Sequence, residues 1–548
     1  MGEEMDGAEA CGWLSWRVAA VAVLAWLALH VAARVADALW WRPRRLEAHF
    51  AAQGVRGPPY RFLLGSVREM VALMAEASSK PMAPPCSHNA LPRVLAFYHY
   101  WRKIYGSRFL IWFGPTPRLT VAEPELVREI FLTRADAFDR YEAHPVVRQL
   151  EGDGLVSLHG DKWALHRRVL TDAFYPDNLN RLVPHVGRSV AALAEKWRGM
   201  AAGGEVEVDV AEWFQAVTEE AITRATFGRS YDDGRVVFAM QGQLMAYASE
   251  AFRKVLVPGY RFLPTKKNWQ SWKLDRETRR SLTRLIARRS DEADAAEQAS
   301  GGFRDLLGAM IGAGERRKRN AAIPVAEMLE ECKTFFFAGK QTTTNLLTWA
   351  TVLLAMHPEW QERARREVLD VCGADELPSK DHLPKLKTLG MIINETLRLY
   401  PPAVATIRRA KTDVQLSDGC MIPRDMELLI PIMAIHHDTR FWGLDAAQFN
   451  PARFANGTAK AAKHPLAFIP FGLGSRMCIG QNLARLEAKL TMAILLQRFE
   501  MRTSPNYIHA PTVLMLLYPQ YGAPVIFRPR SPPHPSGSDP AAAAAAAS

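Results

Sequence analysis

The chain has 548 residues, of which 48% are hydrophobic and 23% are charged, so it can form a large core and is not a disordered protein. At this length we expect either two or three domains or one large domain. The formal net charge of +12 favours contact with anionic membrane surfaces, acidic protein partners or nucleic acid. The sequence has no basic run interleaved with aromatic residues and no zinc-finger spacing, so nucleic acid is the least expected of these partners.

An apolar segment near the N-terminus, residues 13–41, predicts a membrane anchor. Its uninterrupted centre, Val18 to Leu29, is short, but the whole segment can cross a bilayer core of about 30 Å when its charged side chains reach the interfaces. Residues 1–12 are acidic and three arginines follow the segment closely, so we expect residues 1–12 in the lumen and the bulk of the chain in the cytosol. A buried helix is one alternative, and a cleaved signal peptide, which normally has a basic leader, is another.

Between about residue 60 and residue 530 the chain has no linker, repeat or composition break. We predict a basic hinge with a Gly-Pro-Pro turn at 42–60, one large domain at 61–530 and a disordered low-complexity tail at 531–548. Helical patterns dominate the domain, and short strand-like segments lie near 108–122 and 404–432. The predicted fold class is therefore mainly α-helical with a minor β-sheet.

Cysteine usage argues against a disulfide framework. No two cysteines are close enough for a C-x-x-C motif, and most are expected to be small buried residues in a reducing compartment. The six are Cys11, Cys86, Cys332, Cys372, Cys420 and Cys478.

A long helix is predicted between Pro324 and Pro358, because proline suits the first turn of a helix and stops one at the far end. About 33 residues at 1.5 Å each would give a rod of about 50 Å. Its centre, "AGKQTTT", is poor helix material, so this segment is a candidate functional site. There Gly339 would let a ligand approach the backbone and Thr342 would offer a hydroxyl. The alternative is a packing glycine beside threonines that bond to the preceding turn.

A possible buried ion pair lies in "NETLRLYPP". Glu395 and Arg398 are three residues apart on one helix face, which also carries Ile392 and Leu399. Such pairs usually lie on a solvated surface, but the apolar neighbours favour a partly buried structural pair here. Arg453, in "FNPARF", could join it.

The segment "FIPFGLGSRMCIGQNLARLEAKL" surrounds Cys478 with glycines, places Arg476 two residues before it and starts a helix just after it. Nearby positive charge and helix N-terminal amides both stabilise a thiolate. A phosphate cradle is disfavoured because neither GxxxxGK[ST] nor GxGxxG spacing is present. A nucleophilic cysteine paired with His436 or His437 stays open. The third option is a metal with one thiolate ligand, and haem iron fits because the porphyrin supplies four nitrogens.

Five motifs occur in the order and spacing of the cytochrome P-450 superfamily, which the chain resembles from residue 13 to about 530. "FGLGSRMCIG" matches the haem-binding loop F-x-x-G-x-R-x-C-x-G. The other four are "AGKQTT", similar to the oxygen-binding groove, "ETLR" and "PARF", similar to the E-x-x-R and P-x-R-F segments, and "WALHR", similar to the W-x-x-x-R helix. The resemblance implies a cytochrome P-450 fold with a single large haem domain behind the N-terminal anchor.

The same resemblance implies a haem b cofactor and a role for each matching residue. Cys478 would be the axial thiolate ligand of the iron, and Phe471 would pack near its sulfur. Glu395, Arg398 and Arg453 would lock the core behind the haem. The side chains that would bind the haem propionates are Arg476, Trp163 and Arg167, with Arg408 as a further candidate.

In the oxygen-binding groove, Thr342 would position oxygen and a proton-delivering water, with Gly339 beside it. The family usually has an acidic residue where this chain has Gln341, and glutamine cannot relay a proton by ionising. We therefore expect protons to arrive through another water chain.

The resemblance also implies a monooxygenase that takes electrons from NADPH through cytochrome P-450 reductase at the endoplasmic reticulum membrane. Substrate contacts would lie around 135–160 and 235–265. The segments "AGKQTTTNLLTW", "FIPFGLGSRMCIGQNLA" and "VPGYRFLPTKKN" resemble the plant clan that includes brassinosteroid-inactivating side-chain hydroxylases. We therefore expect hydroxylation of a brassinosteroid side chain. The alternatives are oxidation of a gibberellin, a cytokinin or a triterpenoid, a haem-thiolate isomerase or dehydratase, and a non-catalytic haem- or lipid-binding protein.

Overall fold

The structure, a computed structural model, is mainly helical. It describes residues 3–82, 87–142, 147–148, 151–201, 204–252, 265–296, 305–316 and 323–530. The α-helices are α1 (Glu3–Ala36), α2 (Arg42–Ala52), α3 (Val67–Ser79), α4 (Leu91–Val94), α5 (Ala96–Tyr105), α6 (Pro124–Arg128), α7 (Gly160–Thr171), α8 (Pro176–Asn180), α9 (Val183–Met200), α10 (Val210–Phe227), α11 (Tyr231–Phe252), α12 (Lys266–Ala296), α13 (Leu306–Arg316), α14 (Val325–Met356), α15 (Pro358–Cys372), α16 (Lys387–Leu399), α17 (Ile432–His436), α18 (Thr439–Trp442) and α19 (Gln481–Arg498).

The strands form small sheets at the edges of the helical body. They are β1 (Leu110–Phe113), β2 (Thr116–Thr120), β3 (Phe138–Arg140), β4 (Val206–Asp209), β5 (Thr406–Ala410), β6 (Val414–Gln415), β7 (Met421–Ile422), β8 (Glu427–Ile430), β9 (Phe499–Thr503), β10 (Pro511–Val513), β11 (Leu517–Pro519) and β12 (Pro524–Pro529). One sheet has the order β1-β2-β8-β5-β3, a second has the order β4-β12-β9, and β6-β7 and β10-β11 are two-stranded. In the first sheet β3 pairs antiparallel with β5, which places Arg140 opposite Arg408.

The prediction of a mainly helical domain with a minor sheet is confirmed. The strand-like segments near 108–122 and 404–432 contain β1 and β2 and the run from β5 to β8. The strands β4, β9 and β12 were not predicted from the sequence. They pair over long chain separations, for example Phe527 with Val206, and local patterns do not show such pairings.

The N-terminal apolar helix is long enough to serve as an anchor. Within the described residues, one helical stretch, 19–52, is long and apolar enough to cross a membrane, and its most apolar 18-residue window is not buried inside the protein. Helix α1 continues through a π-helical turn, Asp37–Trp41, into α2. The structure thus differs from the predicted hinge at 42–60, because its first eleven residues are helical and only 53–60 are not. Pro43, the second residue of α2, has no N–H to donate, and Leu39 O accepts the Tyr60 hydroxyl instead.

Helix α14 crosses the domain core. Its 32 residues match the predicted long helix, and "AGKQTTT" does not interrupt it. Trp349 stacks on Tyr400, with ring centroids 4.4 Å apart. The Thr344 hydroxyl lies 2.8 Å from that of Thr218, which fixes α14 against α10.

The described cysteines are unpaired. Cys332, Cys372 and Cys420 are buried, as expected of small core residues. Cys86 and the side chain of Cys11 lie outside the described part of the chain, and so does the predicted tail, 531–548. Cys478 differs from the buried three because it faces a cavity.

Candidate active site

A cavity of about 320 Å³ lies between α14, α7, strand β5 and the loop before α19. Cys478 and Thr342 both line it. Much of the remaining wall is apolar, and it includes Leu155, Phe174, Ile222, Phe335, Leu346 and Ile432. The cavity therefore combines one thiol, three threonines of the central helix (Thr334, Thr342 and Thr343) and a largely apolar wall, which suits a large apolar ligand.

The loop before α19 fixes the Cys478 sulfur against the cavity. The Cys478 N–H donates to Phe471 O at 2.9 Å. Gly474 has φ +72°, and a Cβ there would collide with the carbonyl oxygen of Phe131, so only glycine fits this turn. A Cβ on Gly480 would lie 4.0 Å from the sulfur, so the backbone runs close beside it.

The charge state of Cys478 depends on what the cavity holds. Burial raises the pKa of the thiol, whereas the Gly480 N–H and the positive charge of Arg167 lower it only in part. The sulfur is open to the cavity. A thiolate at this position therefore needs a further positive charge, which a bound metal ion would supply.

Four guanidinium groups line the same cavity, those of Arg140, Arg167, Arg408 and Arg476. Arg476 donates to Asp139 Oδ1 at 2.6 Å and to Leu158 O at 3.0 Å, and it lies 4.5 Å above the ring of Trp163. Arg476 and Trp163, which are far apart in the sequence, therefore form one wall.

Arg408 is the most perturbed of these arginines. Burial, together with the nearby charges of Arg140 and Arg476, lowers its pKa to about 9. It donates to Thr406 Oγ1 at 3.2 Å and to Ile407 O at 3.1 Å, both neutral acceptors. The positive charge here exceeds the nearby negative charge, so this part of the cavity would stabilise a carboxylate ligand.

These features fit the haem that the sequence motifs predict. Among the described residues, no group of three or more His, Cys, Asp or Glu side chains could hold a metal ion. A metal at Cys478 would therefore bring most of its own ligands, as haem iron does. The arginines would provide cationic partners for the two propionates of a haem.

A cysteine–histidine pair is not formed, because neither His436 nor His437 lines the cavity with Cys478. His436 Nε2 accepts the Ile469 N–H at 3.0 Å, and His437 Nε2 lies 2.9 Å from Leu399 O. Burial lowers the pKa of each of the two histidines to about 3. Both are therefore neutral structural side chains.

The central segment of α14 makes local contacts. The Thr342 hydroxyl donates to Ala338 O at 2.6 Å, and a Cβ on Gly339 would lie 2.5 Å from Ile222 Cδ1. Both residues also line the cavity, so the packing and ligand interpretations of the sequence apply together. Gln341 is partly buried and does not line the cavity.

The predicted ion pair behind the cavity is present and fully buried. Arg398 binds both oxygens of Glu395 at 2.7 Å, and neither side chain is exposed. Arg398 also donates to the carbonyls of His436, Ala446 and Gln448. Arg453 lies 3.6 Å from Glu395 Oε1, so it joins the pair.

Some cavity residues were not predicted individually. Arg140 comes into place through the pairing of β3 with β5, which the sequence does not reveal. Glu487, which lies on α19, is buried, and its Oε2 has no hydrogen-bond partner. Burial raises the pKa of this carboxyl group well above its usual range. No local sequence pattern marked this acidic residue as buried. Of the two predicted substrate segments, 135–160 contributes to the wall, the described part of 235–265 does not, and 253–264 lies outside the described residues.

Comparison with known proteins agrees with this geometry. The family model described as "Cytochrome P450" matches residues 92–523. Cytochrome P450 734A2 of Oryza sativa subsp. japonica is 84% identical over 98% of this chain and 100% of its own length. Cytochrome P450 734A1 of Arabidopsis thaliana is 58% identical over 94% of this chain and 98% of its own length. Cytochrome P450 72A397 of Kalopanax septemlobus is 39% identical over 90% of this chain and 94% of its own length. The chain belongs to the cytochrome P450 family.

Proposed function

We propose that this P450 monooxygenase hydroxylates the side chain of a brassinosteroid and so inactivates the hormone. The observation that carries the proposal is that Cys478 and the Thr342 hydroxyl line one largely apolar cavity. The substrate class is supported by the likeness of three sequence segments to the plant clan of brassinosteroid-inactivating hydroxylases. The high identity to the 734A proteins over nearly the whole chain is compatible with a shared substrate class.

Haem bound through a cysteine thiolate would supply the activation of O₂. The residues of this chain prepare the site for it. Cys478 would ligate the iron, while the Gly480 N–H and Arg167 favour the negative charge on its sulfur. Trp163, Arg167, Arg408 and Arg476 would bind the propionates.

Thr342 would supply the hydroxyl that holds a water and its proton near the reacting carbon. Its own hydrogen is donated to Ala338 O, so the oxygen can accept a hydrogen bond from the cavity side. Gln341 does not line the cavity, so its amide would act only through intervening water. The apolar side chains around Thr342 would exclude bulk water and orient a steroid by its shape.

Electrons would come from NADPH through cytochrome P-450 reductase, at the endoplasmic reticulum membrane with the domain in the cytosol. The helical stretch 19–52 supports membrane attachment, because its most apolar 18-residue window is not buried inside the protein. The net charge of +12 supports an acidic electron donor.

The test is an incubation of microsomes that contain the full chain and reductase with castasterone, followed by mass spectrometry. A product heavier by one oxygen, dependent on NADPH and absent for Cys478→Ala, is expected. Fragmentation should place the new oxygen on the side chain. Oxidation only of gibberellins, cytokinins or triterpenoids in parallel incubations would contradict the brassinosteroid assignment. Conversion without NADPH or O₂ would point instead to an isomerase or a dehydratase.

A further inference from the structure

His166 lies between two carboxylates in the interior of the protein. Its side chain is 1% exposed. Nδ1 lies 2.6 Å from Glu331 Oε1, and Nε2 lies 2.9 Å from Glu327 Oε2. Both ring nitrogens therefore face an acceptor at hydrogen-bond distance.

The second oxygen of each carboxylate also has a donor partner. The second oxygen of Glu327 lies 2.9 Å from Lys162 Nζ. The second oxygen of Glu331 accepts the Leu155 N–H at 2.9 Å. An ionised carboxylate only accepts hydrogen bonds, and a neutral imidazole has only one N–H. With both carboxylates as acceptors, the two contacts require an imidazolium, and the four groups then carry two positive and two negative charges.

This cluster joins parts of the chain that meet at the cavity. His166 lies on α7 next to Arg167 and three residues after Trp163, and both of these neighbours line the cavity. Glu331 lies on α14, two turns before the Gly339 segment. Glu331 also holds the Leu155 backbone, and the Leu155 side chain lines the cavity as well.

The loop before α7 is built closely around Glu331. The Gly154 N–H donates to Thr334 Oγ1 at 3.2 Å, and the Thr334 hydroxyl donates to Glu151 O at 2.7 Å. A Cβ on Gly154 would lie 2.6 Å from Glu331 Oε2. A shift of this carboxylate would therefore move both the loop and α7.

We infer that His166 is held as an imidazolium and, through Glu331, is the positioning residue that fixes the helix carrying Trp163 and Arg167 and the loop carrying Leu155 around the haem cavity. His166 does not itself line the cavity. It acts on the propionate-binding residues by fixing their helix to α14. This inference rests on the haem site and not on the identity of the substrate.

The first test is the nitrogen NMR spectrum of the full chain labelled with ¹⁵N in its histidines, assigned with His166→Gln. At neutral pH both ring nitrogens of His166 should carry a proton. A spectrum with one unprotonated His166 nitrogen would overturn the inference, and this measurement does not require any variant to be active.

The second test is the rate at which the holoprotein releases haem to an excess of apomyoglobin. His166→Gln should release haem about 10-fold faster, as is common when a residue that orients ligand-binding groups is lost. Lys162→Gln is the matched control, because Lys162 is on the same helix and contacts Glu327 but not Glu331. Its release rate should stay within about twofold of the unsubstituted protein, since half-exposed ion pairs contribute little.

A control for general destabilisation is Arg289→Gln, which breaks the buried Arg289–Asp305 pair away from the cavity. Its release rate, measured on folded protein, should not change. If His166→Gln and Arg289→Gln accelerate haem release equally, His166 stabilises the core like any other buried residue, and the positioning role is overturned. Should His166→Gln fail to fold, Glu331→Gln serves in its place, with the same 10-fold expectation.

Discussion

A Cβ built on Gly339 would lie 2.5 Å from Ile222 Cδ1, so α14 and α10 approach each other at a point where one side chain is missing. Both residues line the cavity that Cys478 faces. The contact therefore fixes the distance between two walls of the candidate active site. Its effect on stability can be separated from its effect on activity.

Gly339→Ala should lower the free energy of unfolding by about 1–3 kcal/mol, because the added methyl group must displace a buried isoleucine. Gly312→Ala is the matched control, since Gly312 lies within a helix and nothing lies within 4 Å of its added Cβ. The control should stabilise the protein by up to about 1 kcal/mol through helix propensity. Chemical unfolding in detergent measures both, and a neutral Gly339→Ala would contradict the packing account.

The stability of the protein should depend strongly on the Glu395–Arg398 pair, so that even a conservative substitution of Arg398 lowers the free energy of unfolding. Arg398→Lys should destabilise the protein by about 3 kcal/mol or more, because lysine cannot bind both carboxylate oxygens and three carbonyls, and unpaired buried charge remains. Arg366→Lys, in the exposed pair with Glu362, should have almost no effect. The two unfolding curves should therefore differ clearly. Similar curves would mean that the buried pair is not a structural lock.

Loss of the Arg167 charge should weaken the retention of haem. Arg167→Gln should speed haem release by about 10-fold or more, as expected for loss of one charge-assisted hydrogen bond of about 1.5–3 kcal/mol. The neighbouring Arg168 is exposed and does not line the cavity, so Arg168→Gln is the control and should release haem at the normal rate. Transfer to apomyoglobin measures both rates. Equal rates for the two variants would show that Arg167 does not bind a haem propionate.

Acid should destabilise the fold through His509, which lies between the hydroxyls of Tyr400 and Tyr507 at 3.0 and 2.8 Å. Burial, and then the charge of Arg93, lower the pKa of His509 to about 4. Its folded-state pKa is thus below the unfolded value of about 6.5, so its contribution to stability is present above about pH 6.5 and is lost as the pH falls towards 4.

Between about pH 7.5 and about pH 5.5, this loss should amount to about 1 kcal/mol. His509→Gln cannot take up this proton. The free-energy difference between the unsubstituted protein and His509→Gln should therefore shrink by that amount over the same interval, as measured by urea unfolding in detergent. A difference that stays constant with pH would contradict this account of His509.

The parts of the site that follow from local sequence could be predicted, whereas the parts that depend on distant contacts could not. Phe471, Arg476 and Cys478 lie within eight residues of one another, and prolines mark both ends of the long helix. Arg140 reaches the cavity only through the β3–β5 register. Glu331, one of the two partners of His166, is 165 residues away, and no local pattern specifies it.

The segment 42–60 illustrates the same limit. Its prolines, glycines and basic residues are typical of a hinge, yet α2 occupies its first part. Helix α2 ends before the turn, where the Tyr60 hydroxyl donates to Leu39 O at 2.6 Å. This contact ties the turn to the end of the apolar helix, and a composition-based interpretation could not predict it.

The most direct test of the central claim is oxidation of castasterone by the full chain with reductase and NADPH under heavy-isotope O₂. We expect one heavy oxygen atom in the steroid side chain for each hydroxylation and no product with Cys478→Ala. A hydroxylated product whose new oxygen comes from water, or full activity of Cys478→Ala, would contradict the assignment of Cys478 and this cavity to a haem-thiolate monooxygenase.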